Sequence, residues 1–283
     1  MTRGDLRSGR RVRGAALGLV AWLCGIAFFL PVAWMVLTSF HREPDAATNP
    51  PSLFAPLTLH GYREFFGLGG AGVSPWPPLL NSLTASIAST LLVLVLAVPA
   101  AYALSIRPVR KWRDVLFFFL STKMLPLVAG LLPVYLVAQN TRMLDSIWLL
   151  VVLYTSMNLP IAVWMMRSFL AEVPVEILEA ASIDGAGLPT TLVRIVAPVA
   201  LPGIAATALI SFLFSWNELL FARVLTGIVA GTSPVFLTGL VTSQGLFLAK
   251  VCAAATVVSL PVLVAGFAAQ DKLVQGLSLG AVK

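Results

Sequence analysis

The sequence predicts an all-α membrane protein with six spanning helices and with both termini in the cytoplasm. Three observations carry this. The 283 residues are 58% hydrophobic and only 11% charged, and the mean hydropathy is +0.92, beyond what a soluble domain of this length sustains. The apolar runs are continuous rather than alternating, and about 20 apolar residues cross a bilayer core as a helix that satisfies its own backbone. Basic residues also concentrate in alternate loops, which sets orientation.

Six spans follow in order, at about 15–38, 79–106, 115–138, 147–166, 199–221 and 251–270. They leave a basic cytoplasmic tail over 1–14, a cytoplasmic connection over 167–198 and a cytoplasmic tail over 271–283. The membrane-spanning body is thus 15–270. The first span follows "TRGDLRSGRRVRG", a basic start that a secretory signal would share. A signal's apolar region is about 7–15 residues and ends at a small-residue cleavage site. The run from Ala15 to Thr38 is longer and continues through Trp34, Met35 and Val36, so a retained anchor is expected. The same length argues against reading Arg10-Arg11 as a twin-arginine export signal.

The later spans carry Pro99, Pro126, Pro133, Pro160, Pro202 and Pro261, and the first carries Pro31. Each removes a backbone donor and can bend its helix, which suits a protein that opens alternately to two sides. One set of loops holds Arg3, Arg7, Arg10, Arg11, Arg13, Arg107, Arg110, Lys111, Arg113, Arg167, Arg194, Lys272 and Lys283. The other holds Arg42, Arg63, Arg142, Arg223 and Lys250. The first set is therefore the cytoplasmic one. The net charge of +7 is a topology signal, and no nucleic-acid partner is expected, because the basic residues are not interleaved with stacking aromatics.

Catalytic motifs are missing. No G-x-x-x-x-G-K-[ST], G-x-S-x-G or H-E-x-x-H occurs, so no catalytic residue, nucleotide site or enzyme activity is expected on this chain. His41 and His60 stand alone in the first outward loop, where a surface position is expected and no metal site. Cys24 and Cys252 fall in or beside apolar spans, where they are expected to pack as small hydrophobes.

Ionisable groups inside spans are costly and mark functional hypotheses. Lys123 lies about 12 Å into the third span, and Glu218 about 28 Å from the same side in the fifth. Even with a lysine stem of about 6 Å the two stay roughly 10 Å apart, so they are not paired. Lys123 is expected to face the bundle interior, because "LSTKMLPLVAG" offers it no interface. Asn217 and Glu218 have two readings. Either they join Lys123 on a polar path for solute, or "SWNELLFARV" has reached the outer interface with Trp216 in an aromatic belt.

The connection over 167–198 is far longer than a turn needs. Pro174 fits a first helical position, and "VEILEAASID" then reads as a short helix with Glu176 in its first turn and Gly185 as a left-handed stop. Glu176, Glu179, Ala180 and Ile183 share one face at helical spacing, and Val175, Leu178 and Ala181 share another. About ten residues of helix are marginal alone. The adjacent alanines allow close approach of another surface, and Glu179 offers a charge to a basic partner. A helix lying on the membrane would favour a basic polar face, so this acidic one points to a protein partner.

These residues resemble a known family. Glu179-Ala180-Ala181, Gly185, Ile195 and Pro198 match the "EAA…G…I-x-L-P" signature of ATP-binding cassette importer permeases, with Asp184-Gly185-Ala186 as in the carbohydrate branch. "NPPSLFAPLTLHGYREFF", "NSLTASIAST…AAYAL", "MLPLVAGLLPVYL", "NLPIAVWMMRSF", "SWNELLFA" and "GLSLGAVK" extend the likeness over nearly the whole chain, to the maltose-type inner-membrane subunit with a short N-terminus. Ala197, Leu192 and Lys123 depart from the pattern. The first two bear on packing, the third on substrate choice.

The resemblance implies a type I importer permease fold in a bacterial inner membrane. It implies that Glu176, Glu179, Ala180, Ala181, Asp184 and Gly185 form a coupling helix seated in a separate ATPase subunit, which holds the ATP and Mg. The tail at Gly276, Gly280 and Lys283 would reach the ATPase dimer, and the outward loop of about 222–250 an extracytoplasmic solute-binding protein. A second, homologous permease chain would complete the path. A neutral sugar is the default solute, with sugar alcohols and glycerol phosphate esters as alternatives. A self-sufficient secondary transporter is the competing class. It would need coupling-ion sites near the midplane and usually internal repeats, and neither is visible.

Overall fold

The computed structural model describes residues 3–48, 52, 54–68, 73–106, 109–242 and 245–281. In chain order the helices are α1 (Arg3–Thr38), α2 (Glu43–Ala46), α3 (His60–Phe65), α4 (Trp76–Ser105) and α5 (Trp112–Ser121), which runs into a 3-10 turn at Thr122–Met124. Then come α6 (Leu127–Asn140), α7 (Ile147–Leu170), α8 (Val175–Ile183) and α9 (Leu188–Thr190). A π-helical turn at Thr191–Val196 leads to α10 (Ala197–Val199), α11 (Leu201–Trp216), α12 (Leu220–Leu225) and α13 (Ser233–Gly239). A short antiparallel hairpin, β1 (Val241–Thr242) and β2 (Gly245–Leu246), precedes α14 (Leu248–Ala281).

Four helical stretches are long and apolar enough to cross a membrane unbroken: Ala16–Thr38, Trp76–Ser105, Ile147–Leu170 and Leu248–Lys272. The other two expected spans are bent. Trp112–Met124 meets Leu127–Asn140 at 86°, and Leu188–Val199 meets Leu201–Trp216 at 85°. Six spans result only if each bent pair counts as one. The first break has a local cause: Leu125 is extended (ψ 127°), as a residue preceding proline prefers, and Pro126 (ψ 124°) leaves the helix before Leu127 resumes it. At the second break Ala200 has ψ 9°, and Pro202 opens α11 at a position where its missing N–H costs nothing. By contrast Pro31, Pro99, Pro133, Pro160 and Pro261 sit inside continuous helices. The expected span over 199–221 also stops short, at Trp216.

The chain forms two compact units, residues 1–74 with 240–257, and 75–239 with 258–283. In the first, α1 carries exposed Trp22, Phe28 and Phe29, the surface of a helix that needs lipid or another helix around it. Cys24 is exposed on the same helix, whereas Cys252 is buried as expected. The turn after α1 is packed: Thr38, Ser39 and His41 are all buried, and the Ser39 and Tyr62 hydroxyls lie 2.7 Å apart. His41 thus departs from its expected surface position, because the chain folds back over it before α2. His60 does stand in the open, 3.8 Å from Glu64. The Glu43 carboxylate accepts the N–H groups of Lys250 at 2.8 Å and Ala249 at 3.1 Å, capping the start of α14 with a charge that suits the helix dipole.

The second unit is built on α4 and α7. Small residues line the buried face of α4 at helical spacing: Ser82, Ala85, Ser86, Ser89, Thr90, Ala97 and Ala101. Such a stripe lets helix backbones approach closely in lipid, where close packing rather than water expulsion drives association. Gly203 of α11 does the same against α7. A Cβ there would lie 2.3 Å from Phe169 Cγ. One apolar cluster gathers Val93, Tyr102, Leu104, Met166, Leu170, Leu178 and Val196. Another joins Ala85, Ala138, Leu150, Tyr154, Phe221 and Leu225.

Candidate functional site

Helix α8 follows α7 after a short extended turn and begins one residue later than the sequence suggests. Pro174 is its cap, not its first residue, with ψ at 131°. Leu178 and Ala181 are buried, and Leu178 joins the apolar cluster formed by α4 and α7. Val175, expected on that same face, is instead 61% exposed, because the helix starts at it and its side chain points off the first turn. Of the two alanines only Ala180 faces out. The close approach that Ala181 permits is to this chain's own helices.

Glu176, Glu179, Ala180, Asp184 and Gly185 are exposed, and Ile183 is 86% exposed at the tip. Gly185 has φ +75°. Its N–H donates to Ser182 O at 3.2 Å and the Ala186 N–H to Ala181 O at 3.0 Å, the paired pattern of a glycine-closed helix end. Behind α8 lies an open cavity of about 590 Å³ whose lining includes Tyr102, Ser105, Glu179, Ser182 and Thr191. The helix is therefore held by two inward side chains, a capped end and little else, with an acidic and small-residue face free.

Lys123 lies in the 3-10 turn at the first elbow and is exposed, as are Met124 and Leu125. It is exposed in this chain where an interior position was expected, and it stands at the 86° break where a continuous helix was expected. Asn217 is exposed, and its amide donates back to Leu213 O at 2.8 Å. Glu218 is 9% exposed, and its carboxylate accepts the N–H groups of Phe221 at 2.9 Å and Ala222 at 3.2 Å, capping α12. The buried Tyr154 hydroxyl faces this carboxylate without a hydrogen bond closing between them. Trp216 is not part of an interfacial belt. It is buried and donates from Nε1 to Val258 O at 3.2 Å. No hydrogen bond or ion pair joins Lys123 to Asn217 or Glu218 among the described residues.

Sequence reasoning missed two polar features. The first is a buried seam between α4, α7 and α11. The Asn158 amide donates to Ser215 Oγ at 3.0 Å, and the Ser215 and Ser89 hydroxyls are 3.0 Å apart. On the same three helices Asn158 Oδ1, Ser86 Oγ, Thr207 Oγ1 and Ser211 Oγ are buried without hydrogen-bond partners among the described residues. An asparagine in mid-span was the available signal, since a neutral amide in lipid also needs partners.

The second is a clamp on the loop between α12 and α13. Asp145, at φ +57°, accepts backbone N–H groups from Gly227 and Ala230 at 2.8 Å and from Val229 at 3.0 Å. Asn81 donates to Val229 O at 2.8 Å and Gly231 O at 3.0 Å. Partial burial pushes the Asp145 carboxyl up, but the backbone N–H groups of Ala230, Gly227, Val229 and Ile228 together outweigh it and hold the group below its ordinary value. The loop so held presents Ile228, 99% exposed, and Val229. In the tail, Gly276 and Gly280 fall on the backbone of α14, and Lys283 lies outside the described residues.

Long apolar helices, two further apolar stretches bent at breaks, a buried polar seam between α4, α7 and α11, and a glycine-closed acidic helix are the features of a multi-pass membrane protein. The chain belongs to the family described as binding-protein-dependent transport system inner membrane component, matched over residues 93–278. It is 37% identical over 262 residues to the probable ABC transporter permease protein y4oR of Sinorhizobium fredii, covering 92% of this chain and 93% of that one. It is 29% identical over 260 residues to the diacetylchitobiose uptake system permease protein DasC of Streptomyces coelicolor, covering 91% and 93%. Its fold matches a chain in the crystal structure of a bacterial ABC transporter involved in the import of the acidic polysaccharide alginate, with TM-score 0.75, 20% identity, and 96% and 99% of the two chains covered. The protein is a transport subunit of the inner membrane.

Proposed function

We propose that this chain is one half of the pore of an ATP-driven importer that takes a sugar or sugar-like solute from an extracytoplasmic binding protein into the cytoplasm. The observation that carries the reading is α8: two side chains root it, a left-handed Gly185 ends it, and Glu176, Glu179, Ala180 and Asp184 are left unpaired on its free face. A marginal helix with such a face is suited to a rigid-body contact. In this proposal it seats in an ATPase subunit carrying ATP and Mg, and moves with it. The tail through Gly276, Gly280 and Lys283 extends toward the same ATPase dimer, and a second permease chain closes the pore. In this reading this chain is expected to bind no cofactor of its own.

Both termini are cytoplasmic in this arrangement, each bent pair counts as one of six passes, and the connection over 167–198 lies inside. The Lys and Arg distribution supports that orientation. The clamped loop presenting Ile228 then faces outward, toward the binding protein. Lys123, Asn217 and Glu218 remain the proposed solute-path residues. Glu218 acts there by shaping the end of α11, since its carboxylate is occupied by α12. The diacetylchitobiose and alginate importers among its likenesses support a carbohydrate solute.

Reconstitution tests the reading. The purified chain in vesicles should carry no solute alone and should gain ATP-dependent uptake with its permease partner, ATPase and binding protein. Solute accumulation by the chain alone, driven by an ion gradient, would replace the proposal with a secondary transporter.

A further inference from the structure

We propose a binding site for the phosphate of an anionic phospholipid headgroup, built from Arg167 of α7 and from Trp112 and Arg113 at the start of α5. The Arg167 guanidinium carbon lies 3.8 Å from the centre of the Trp112 ring, and that of Arg113 lies 5.3 Å from the same ring. A contact at 3.8 Å holds the guanidinium against the face of the ring and restricts its motion. Its outer edge then forms a prearranged fork, the geometry that grips two oxygens of a phosphate.

The fork has no partner among the described residues. Arg167 Nε is buried without a hydrogen-bond acceptor, and neither arginine forms an ion pair among the described residues, although Asp114 follows directly in sequence. A half-buried cation with an orphaned donor is a costly arrangement unless an anion completes it. Arg110 and Lys111, both exposed just before Trp112, add charge to the same loop.

The surroundings choose the source of the anion. Phe117 and Phe118 stand exposed further along α5, and Trp164 is exposed one turn before Arg167 on α7. The arginines therefore sit where exposed apolar side chains give way to charged ones, the level at which lipid headgroups meet a helix and where basic pockets between spans take anionic lipids. A phosphate that arrives with acyl chains satisfies the fork and covers the phenylalanines together.

Native mass spectrometry of the full chain in detergent, titrated with phosphatidylglycerol or phosphatidylcholine, tests this. Wild type should retain phosphatidylglycerol in preference, and Arg167→Gln should weaken that retention about tenfold, the loss expected for a charge-assisted bidentate contact. Arg167→Lys should restore only part, since it keeps the charge and loses the fork. Arg113→Gln, at an exposed position, gives a smaller loss in the same direction without touching the packed residue. Equal retention by wild type and Arg167→Gln overturns the proposal. So does displacement of the lipid by millimolar inorganic phosphate, which would make this a free-anion site. Protection of Arg113→Cys from a thiol reagent by an ATPase subunit, and not by phosphatidylglycerol, also overturns it, by assigning the fork to a protein carboxylate.

Discussion

The Asp145 carboxylate accepts the Gly227 backbone N–H at 2.8 Å across 82 residues of sequence, and the same group accepts two further N–H groups from Ala230 and Val229. One side chain thereby gives an exposed loop a single shape. Its carboxyl is depressed below the ordinary value, so its contribution is present above the unfolded-state value and is lost as pH falls through the lower folded-state value. The protection of the Gly227, Val229 and Ala230 amides, taken relative to their intrinsic exchange rate at each pH, should hold at neutral pH and fall only in acid, below the usual carboxylate range. Asp145→Asn should expose these amides at pH 7, with a local cost of about 1–2 kcal/mol after allowing for solvent screening. Unchanged exchange in that variant would mean the loop is held by Asn81 alone.

Gly203→Ala should destabilise the second unit. The added Cβ would fall 2.3 Å from Phe169 Cγ and 2.6 Å from its Cβ, inside any tolerable contact, so α11 or α7 must move. A loss of about 1–3 kcal/mol is expected, read as a lower midpoint in thermal unfolding of the detergent-solubilised chain. The double variant with Phe169→Ala should recover much of it.

Glu179→Lys reverses the charge on the free face of α8, and Gly185→Asp forces a side chain into φ +75°, which costs roughly 1–2 kcal/mol for a residue with a Cβ. Both variants should insert normally and lose solute uptake, either by failing to dock the ATPase or by uncoupling its hydrolysis. Normal uptake with an unaltered ATPase rate would remove α8 from the coupling role.

Lys123→Met should alter which solute is carried more than it alters assembly, because Lys123 is exposed at an elbow and its amine has no hydrogen bond or ion pair among the described residues. Competition uptake with neutral and anionic sugars is the measurement. Unchanged preference would return Lys123 to a purely local role at the bend.

The parts legible in the sequence were those carried by short-range patterns. Continuous apolar runs located α1, α4, α7 and α14 to within a few residues, apart from the basic and C-terminal extensions of the outer two. The capping proline, acidic first turn and Gly185 delimited α8 to within one residue at its start. Prolines were visible, but not which of them break a helix. Pro126 and Pro202 stand at 86° and 85° bends while Pro99 and Pro160 ride inside continuous helices, since neighbouring helices decide whether a freed carbonyl finds another partner. His41 was misplaced, and the reading that put Trp216 in an outer belt fails, for a related reason: each could face either way until its neighbours were known.

Composition and Lys and Arg placement were enough to determine a helical, multi-pass membrane protein, its expected orientation and its glycine-closed acidic helix, because hydropathy, charge and capping act over a few residues. Only the tertiary structure decided that Asp145 clamps a loop 82 residues away, that Glu218 is occupied in capping α12, that Asn158 belongs to a buried seam, and that the Arg167 guanidinium lies over the Trp112 ring. These pairings depend on which helices pack together, and in lipid that choice rests on close steric fit between small residues, which no local pattern encodes.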